Sequence, residues 1–187
     1  ALEGFAQCGI EIINCPHEQI AGHLADAYTR ITRKPTVCLV GPEGFANAVP
    51  AMMEAWGERS QVIFITGSST LKRQGSGGFK EIDDVAIAAP LTKYSATITD
   101  GNRIPEFVDR ALKIAGSGYP GPIHLSVPVD IMFSSYDVDT QSDASHTYEP
   151  SSHITSAPEP SQSPHSSTSA DPPQSPAQSS TASPSHT

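Results

Sequence analysis

Strand-type and helix-type segments alternate along residues 1–138, and this alternation is the strongest constraint on the fold. Near-continuous apolar runs at Thr36–Val40, Gln61–Thr66 and Ile123–Val127 are typical of strands that are covered on both faces. Between them lie segments whose apolar residues recur at spacings of three and four, as in amphipathic helices. This order predicts right-handed βαβ units and therefore an α/β fold, a doubly wound and mostly parallel sheet with helices on both faces.

Two helices of this pattern carry specific expectations. The segment Glu18–Arg33 is predicted to be a helix. Its expected buried face consists of Ile20, Leu24, Ala27, Tyr28 and Ile31. A tight turn over 41–47 is expected to end with Asn47 as the N-cap of the next helix, which places Pro50 in the first turn, where proline is tolerated.

The N-terminal residues predict a short helix followed by a strand. Ala1–Cys8 has helical character and Gly9 ends it, and Ile10–Asn14 is a run of β-favouring residues. Because the sequence opens within helix-type residues, we expect a fragment of a domain whose first strand is missing.

Composition divides the chain into two parts. Of the 49 residues in 139–187, 15 are Ser and 8 are Pro, and none is Lys or Arg. Such a segment buries too little apolar surface to offset its ordering entropy, so a disordered low-complexity tail is predicted after a domain over 1–138. That domain carries 15 acidic and 11 basic side chains, which argues against nucleic acid as a partner.

Neither a membrane span nor a targeting segment is predicted. No apolar stretch reaches the roughly 18 residues that a bilayer requires, and no basic region precedes an apolar run. Cys8, Cys15 and Cys38 lack the spacing of a zinc site or a disulfide framework. These features predict no membrane partner and a cytoplasmic location, with an organelle as the alternative.

Ligands of doubly wound sheets bind beyond the carboxyl ends of the strands, so the loops Cys15–Gln19, Gly41–Asn47 and Gly67–Lys80 are candidate site segments. His17 and His23 are six residues apart and point in different directions on a helix, so no zinc motif is formed and no metal ligand is predicted. Spacing alone favours Glu18 as a first-turn carboxylate that complements the helix dipole.

A series of ordered motifs resembles one enzyme family. The motifs are Cys15–Gln19 with Ala25–Arg30, Pro35–Val40 with Gly44–Ala48, Ile65–Gly67, Gly78–Asp83, Pro90–Lys93 and Gly121–Asp130. Together they resemble the N-terminal pyrimidine-binding domain of thiamine diphosphate enzymes of the acetolactate synthase and 2-hydroxyacyl lyase groups. The resemblance covers roughly 2–130.

This resemblance implies a cofactor, thiamine diphosphate, and roles for six residues. Glu18 is implied as the catalytic carboxylate, bonded to N1′ of the aminopyrimidine, in an apolar surround that raises its pKa. Pro42, Gly44 and Asn47 are implied to border the cofactor, and Phe79 and Lys80 to face the substrate. The implied substrate is a 2-keto acid or a 2-hydroxyacyl compound.

Further partners are implied in the same way. The family holds the diphosphate and Mg²⁺ in a separate domain, whose GDG signature is not found in this sequence. A diphosphate-binding domain is therefore expected in cis or in trans, a homo-oligomer is expected, and the isolated chain is expected to be inactive. Some acetolactate synthases also bind FAD, which makes FAD a further implied cofactor.

Two positions depart from the family pattern. The turn contains Pro42, Glu43 and Gly44 where a Pro-Gly pair is usual, and Lys80 replaces a glutamine. Lys80 either meets the substrate carboxylate or pairs with Glu81 or Asp83 in solvent. The 67–78 loop lacks the His-His pair of the pyruvate decarboxylase branch, which favours a synthase or lyase.

Three hypotheses about the whole protein follow. The chain is the N-terminal part of a longer enzyme joined to an unrelated tail, or a subunit that requires a separate diphosphate-binding subunit. The alternative is a non-catalytic or regulatory relative that acts by protein association.

Overall fold

The computed structural model describes residues 2–136, which contain a four-stranded, fully parallel sheet. Its strands are Thr36–Val40 (β1), Val62–Ser68 (β2), Tyr94–Thr97 (β3) and Ile123–Pro128 (β4). They lie side by side in the order β1-β2-β4-β3. The predicted α/β class is confirmed, whereas the predicted tail over 139–187 and its boundary lie outside the described residues.

Helices connect the strands. The α-helices are Leu2–Gln7 (α1), Glu18–Thr32 (α2), Pro42–Gly57 (α3), Asp84–Ala88 (α4), Ile104–Gly116 (α5) and Val129–Met132 (α6). Single 3-10 turns cover Leu71–Arg73, Ala89–Leu91 and Gly101–Arg103. Within the described part of the chain, no helix combines the length and the apolar character needed to cross a membrane.

The sheet separates two apolar cores, because successive side chains of a strand point to opposite faces. In β2, Val62 and Phe64 pack with α2 and α3, whereas Ile63 packs with α5. Phe64 is fully buried, as is Ala111 of α5 in the second core. Helices therefore cover both faces of the sheet, as the sequence predicts.

The face of α2 that is buried differs from the predicted one. Ile20, Leu24 and Tyr28 are about half exposed, and Ile31 is 83% exposed. The buried face instead carries small and polar residues, Gly22, Ala25, Asp26 and Thr29. The prediction was wrong because α2 approaches α3 too closely for large side chains.

The contact between Gly22 of α2 and Ala51 of α3 shows how close this approach is. A Cβ atom placed on Gly22 would lie 2.5 Å from the Ala51 Cβ, well inside van der Waals contact. Asp26 is buried beside this contact, and it accepts a hydrogen bond from the Ser60 hydroxyl and pairs with Arg30 at 2.9 Å. These partners are what permit a carboxylate on a buried face.

Two further expectations from the sequence were wrong. Ile10–Asn14 is not a strand, and its Ile10, Ile12 and Ile13 side chains are exposed. Residues of high β-propensity form a strand only when a neighbouring strand supplies the backbone partners, and the described residues supply none here.

The other error concerns the start of α3. This helix begins at Pro42 with Gly41 as N-cap, so Asn47 lies inside it rather than capping it. Pro50 lies in the middle of the helix and not in its first turn. The amide that Pro50 lacks would have bonded to the Ala46 carbonyl, and the helix tolerates the loss because both residues are exposed to solvent.

Candidate functional site

The carboxyl ends of β1 and β2 meet the N-terminus of α3. β1 ends at Val40, Gly41 caps α3, and Pro42 occupies the first helical turn, where its missing N–H and fixed φ favour helix initiation. A Cβ placed on Gly67, near the end of β2, would lie 3.5 Å from Pro42 Cδ. The sheet therefore brings the 41–47 and 67–80 segments together at one edge, as the topology predicts.

Glu18 begins α2 at the same edge. His17 is the N-cap, and its Nδ1 accepts the Gln19 backbone N–H at 3.2 Å. This places the Glu18 carboxylate in the first turn, where it complements the positive end of the helix dipole, as expected from spacing. Its side chain also reaches α3, where the Asn47 side-chain amide donates a 3.0 Å hydrogen bond to Glu18 Oε2.

Gly44 provides the space that Glu18 occupies. A Cβ at Gly44 would lie 2.5 Å from Glu18 Cγ and 2.8 Å from Glu18 Oε1, distances at which one of the groups must move. Three of the six predicted site residues, Glu18, Gly44 and Asn47, therefore form one contiguous cluster between the N-termini of α2 and α3.

The surroundings of Glu18 favour its charged form. Its pKa is lowered from the usual 4.5, chiefly by its own backbone N–H at the helix N-terminus and then by the Asn47 amide. Its side chain is partly exposed and accepts the Asn47 hydrogen bond, which stabilises its charged form. In the chain without a cofactor, these contacts favour the ionised form of Glu18, and the apolar surround that the resemblance implies for the bound cofactor stays a prediction.

Pro42 and Lys80 lie together in a second part of the site, a cavity of about 30 Å³ at the carboxyl end of β2. Its lining residues are Pro42, Gly67, Ser68, Ser69, Gln74, Lys80, Glu81, Ile82 and Asp84. Phe79, the remaining predicted site residue, is 89% exposed and does not line the cavity.

Lys80 pairs with a residue that sequence reasoning did not consider as its partner. Its ammonium forms an ion pair with the Glu43 carboxylate in the first turn of α3. The predicted alternative, pairing with Glu81 or Asp83, was wrong. Glu81 instead accepts hydrogen bonds from the backbone N–H groups of Gly75 and Gly78, because the loop curls around its carboxylate.

A buried polar cluster supports the cavity from the sheet and was missed by sequence reasoning. His124 is fully buried in β4, with Nε2 3.0 Å from Thr66 Oγ1 and Nδ1 2.9 Å from Ser95 Oγ. Beside it, the Ser126 hydroxyl donates to Asp84 Oδ2 at 2.7 Å. The available signal was polar residues at alternate positions of an apolar strand, since 124 and 126 share a face.

Comparisons with known proteins support the resemblance. Residues 1–87 match the family described as thiamine pyrophosphate enzyme, N-terminal TPP binding domain. The chain is 37% identical over 126 residues to the mitochondrial acetolactate synthase of Schizosaccharomyces pombe, covering 66% of this chain and 19% of that protein. Residues 1–87 therefore carry an N-terminal domain of the thiamine pyrophosphate enzyme type, as the motifs predict.

A second relative and a solved structure show the same partial match. Acetolactate synthase isozyme 1 large subunit of Escherichia coli is 34% identical over 127 residues, which cover 67% of this chain and 22% of that protein. The chain thus spans about a fifth of the length of these relatives. A solved Mycobacterium smegmatis structure, classed as a thiamin diphosphate-dependent enzyme, shares the fold with a TM-score of 0.59 at 22% identity, covering 66% of this chain and 25% of that one.

Proposed function

We propose that residues 1–138 bind the aminopyrimidine ring of thiamine diphosphate in an acetolactate synthase-like enzyme that decarboxylates and ligates 2-keto acids. The observation that carries this proposal is the Glu18 carboxylate, held against Gly44 and bonded to Asn47 at the carboxyl edge of the sheet. An ionised carboxylate fits a heterocycle that must carry a proton at a ring nitrogen. The glycine keeps the adjacent space free of side-chain atoms.

Each residue of the cluster has a role in this proposal. Bound thiamine diphosphate supplies the electron sink that 2-keto acid decarboxylation requires. Glu18 holds the proton at N1′ of the ring, and Asn47 fixes the carboxylate orientation through its hydrogen bond to Oε2. Pro42 borders the ring at the start of α3, while Phe79 and Lys80 lie on the substrate side of the same edge.

The diphosphate and Mg²⁺ are assigned to a separate domain. Within residues 2–136, no group of three or more His, Cys, Asp and Glu side chains is placed to hold a metal ion. A diphosphate-binding domain in cis or in trans completes the site, in a homo-oligomer, and the isolated chain is inactive.

Binding of the ring is testable on the 187-residue chain. Thiamine, added during ¹H–¹⁵N NMR, is expected to shift the amide signals of Glu18, Gly44 and Asn47. Glu18→Gln is expected to weaken this binding by about tenfold or more, since hydrogen bonds to charged groups contribute about 1.5–3 kcal/mol. Glu54→Gln, an exposed carboxylate change within α3, is the matched control. Equal thiamine affinity in the two variants contradicts the assignment of Glu18.

The reaction requires a complete enzyme. In a chimera, residues 1–138 therefore replace the matching segment of the Escherichia coli isozyme 1 large subunit. Acetolactate formation from pyruvate is then measured. We expect the chimera to be active, and we expect Glu18→Gln to abolish this activity and Glu54→Gln to retain it. A folded chimera that binds thiamine diphosphate without turnover supports the non-catalytic alternative, and carbon–carbon cleavage without ligation supports a lyase.

A further inference from the structure

Glu43 and Lys80 occupy the two positions at which the sequence departs from the acetolactate synthase-like pattern, and these two side chains form an ion pair. They are 37 residues apart and connect the first turn of α3 to the loop after β2. Their side chains are 58% and 38% exposed. Such an exposed pair is weak, so another carboxylate can compete for Lys80.

Ser68 supplies a second, independent feature at the same place. It is 8% exposed and lines the cavity with Lys80. Its Oγ has no hydrogen-bond partner among the described residues. A buried hydroxyl without a partner is costly, which indicates that a ligand or solvent atom completes this site.

The other charged groups of the cavity already have partners. Glu81 accepts hydrogen bonds from the Gly75 and Gly78 amides, and Asp84 accepts one from Ser126. Lys80 is the only basic residue among those that line the cavity. An anion at this cavity therefore has one cation available, provided that Glu43 releases it.

We propose that the Lys80 ammonium and the Ser68 hydroxyl bind the carboxylate of a small ligand. Glu43 remains paired with Lys80 until that ligand displaces it. Glu43 thus competes with the ligand carboxylate for the Lys80 ammonium. Because Lys80 and Ser68 both line this cavity, a carboxylate bound there can meet the two groups together. Only the choice of a 2-keto acid as the ligand rests on the proposed function.

Pyruvate is the probe, titrated into the 187-residue chain by ¹H–¹⁵N NMR at constant ionic strength. The expected result is saturable shifts at Ser68, Ser69 and Lys80. Glu43→Gln is expected to tighten binding by up to about fivefold, which corresponds to the free energy of an exposed ion pair. A Glu43→Gln variant that failed to fold could not bind pyruvate more tightly, so tighter binding cannot result from unfolding.

Loss of either ligand group should have the opposite effect. Lys80→Gln is expected to weaken pyruvate binding by about tenfold and Ser68→Ala by about threefold. In the Lys80→Gln background, Glu43→Gln should have no further effect, because the two residues act on one interaction. Lys72→Gln and Glu54→Gln make the same charge changes at exposed positions away from the cavity lining.

Three results overturn the proposal. These are unchanged pyruvate affinity in Lys80→Gln, a gain in Glu54→Gln equal to that in Glu43→Gln, or shifts that sodium chloride reproduces at equal ionic strength. Glu18→Gln separates the two proposals, since it should weaken thiamine binding and leave pyruvate binding intact. Failure of one measurement therefore does not imply failure of the other.

Discussion

The Asn47 side-chain amide donates a 3.0 Å hydrogen bond to the Glu18 carboxylate across 29 residues of sequence. This bond ties the N-terminus of α2 to the second turn of α3, two helices that otherwise meet through small residues. The position of the proposed catalytic carboxylate therefore depends on the spacing between two helices rather than on α2 alone.

Gly44→Ala should disturb this arrangement. The added methyl group would lie 2.5 Å from Glu18 Cγ, so either Glu18 leaves its position or α3 shifts. We expect thiamine binding, followed by NMR, to weaken by at least tenfold. We also expect a cost of about 1–3 kcal/mol in the free energy of unfolding, measured with urea.

Gly57→Ala is the control for this substitution. A Cβ at Gly57, also in α3, meets no atom within 4 Å. Alanine there should leave thiamine binding unchanged and stabilise the helix by up to about 1 kcal/mol. If both alanine variants bind thiamine equally well, Gly44 does not reserve space for Glu18.

Most elements of this fold could be predicted from sequence, because apolar periodicity encodes which face of a segment is buried. The strands around Cys38, Phe64 and Leu125 are such cases, each buried among helices. The buried face of α2 could not be predicted this way. Its packing depends on how closely α3 approaches, and that distance is set by Gly22 and Ala51 together rather than by the hydrophobicity of either segment.

The candidate site was predictable to a similar extent. Glu18, Gly44 and Asn47 lie in motifs, so their proximity followed from the fold that the motifs imply. The partner of Lys80 did not follow, because Glu43 lies 37 residues earlier and reaches it only once the sheet has formed. The lowered pKa of Glu18 likewise results from a helix start and a cross-helix hydrogen bond, neither of which periodicity encodes.

Gly22→Ala should test the packing of α2 on α3. The new Cβ would lie 2.5 Å from the Ala51 Cβ, and a backbone shift is needed to separate them. We expect a loss of about 1–3 kcal/mol in the free energy of unfolding by urea. Adding Ala51→Gly should recover part of this loss, since it removes the opposing methyl group. No recovery in the double variant would mean that another contact limits the approach.

Stability should fall in acid because of His124. Burial lowers its pKa to about 4 from an ordinary value of 6.5, so the unfolded chain binds this proton more readily than the folded chain. The contribution of neutral His124 to the free energy of unfolding is fully present above about pH 6.5. It is lost as the pH falls toward 4, by roughly 3 kcal/mol in total. Urea unfolding at several pH values between 7 and 4 measures this slope.

Two variants isolate the histidine contribution. His124→Asn should lower stability at pH 7 and flatten its dependence between pH 6.5 and 4, while the exposed His23→Asn should retain the original slope. Asp84 acts in the opposite direction, because burial raises its pKa and favours the folded state in acid. Loss of the slope in His23→Asn instead would rule out His124 as its source.

Ile31→Gln should have little effect on folding, contrary to what the apolar periodicity of α2 suggests. Ile31 is 83% exposed, so we expect a change of no more than about 0.5 kcal/mol in the free energy of unfolding. Leu125→Ala, at a residue that is 1% exposed, should cost about 2–5 kcal/mol. A large loss in Ile31→Gln would place this side chain in an apolar contact.

The strand order has a consequence for the biogenesis of the domain. Among the four described strands, β4 leaves the ribosome last, yet it lies inside the sheet, and β3 pairs with β4 alone within the described residues. The 94–97 segment therefore emerges without a backbone partner and stays unpaired until residues 123–128 have been translated. The interior strand of the sheet is therefore added last. A ribosome that stalls before this point leaves β1 and β2 paired and the 94–97 segment without a partner strand.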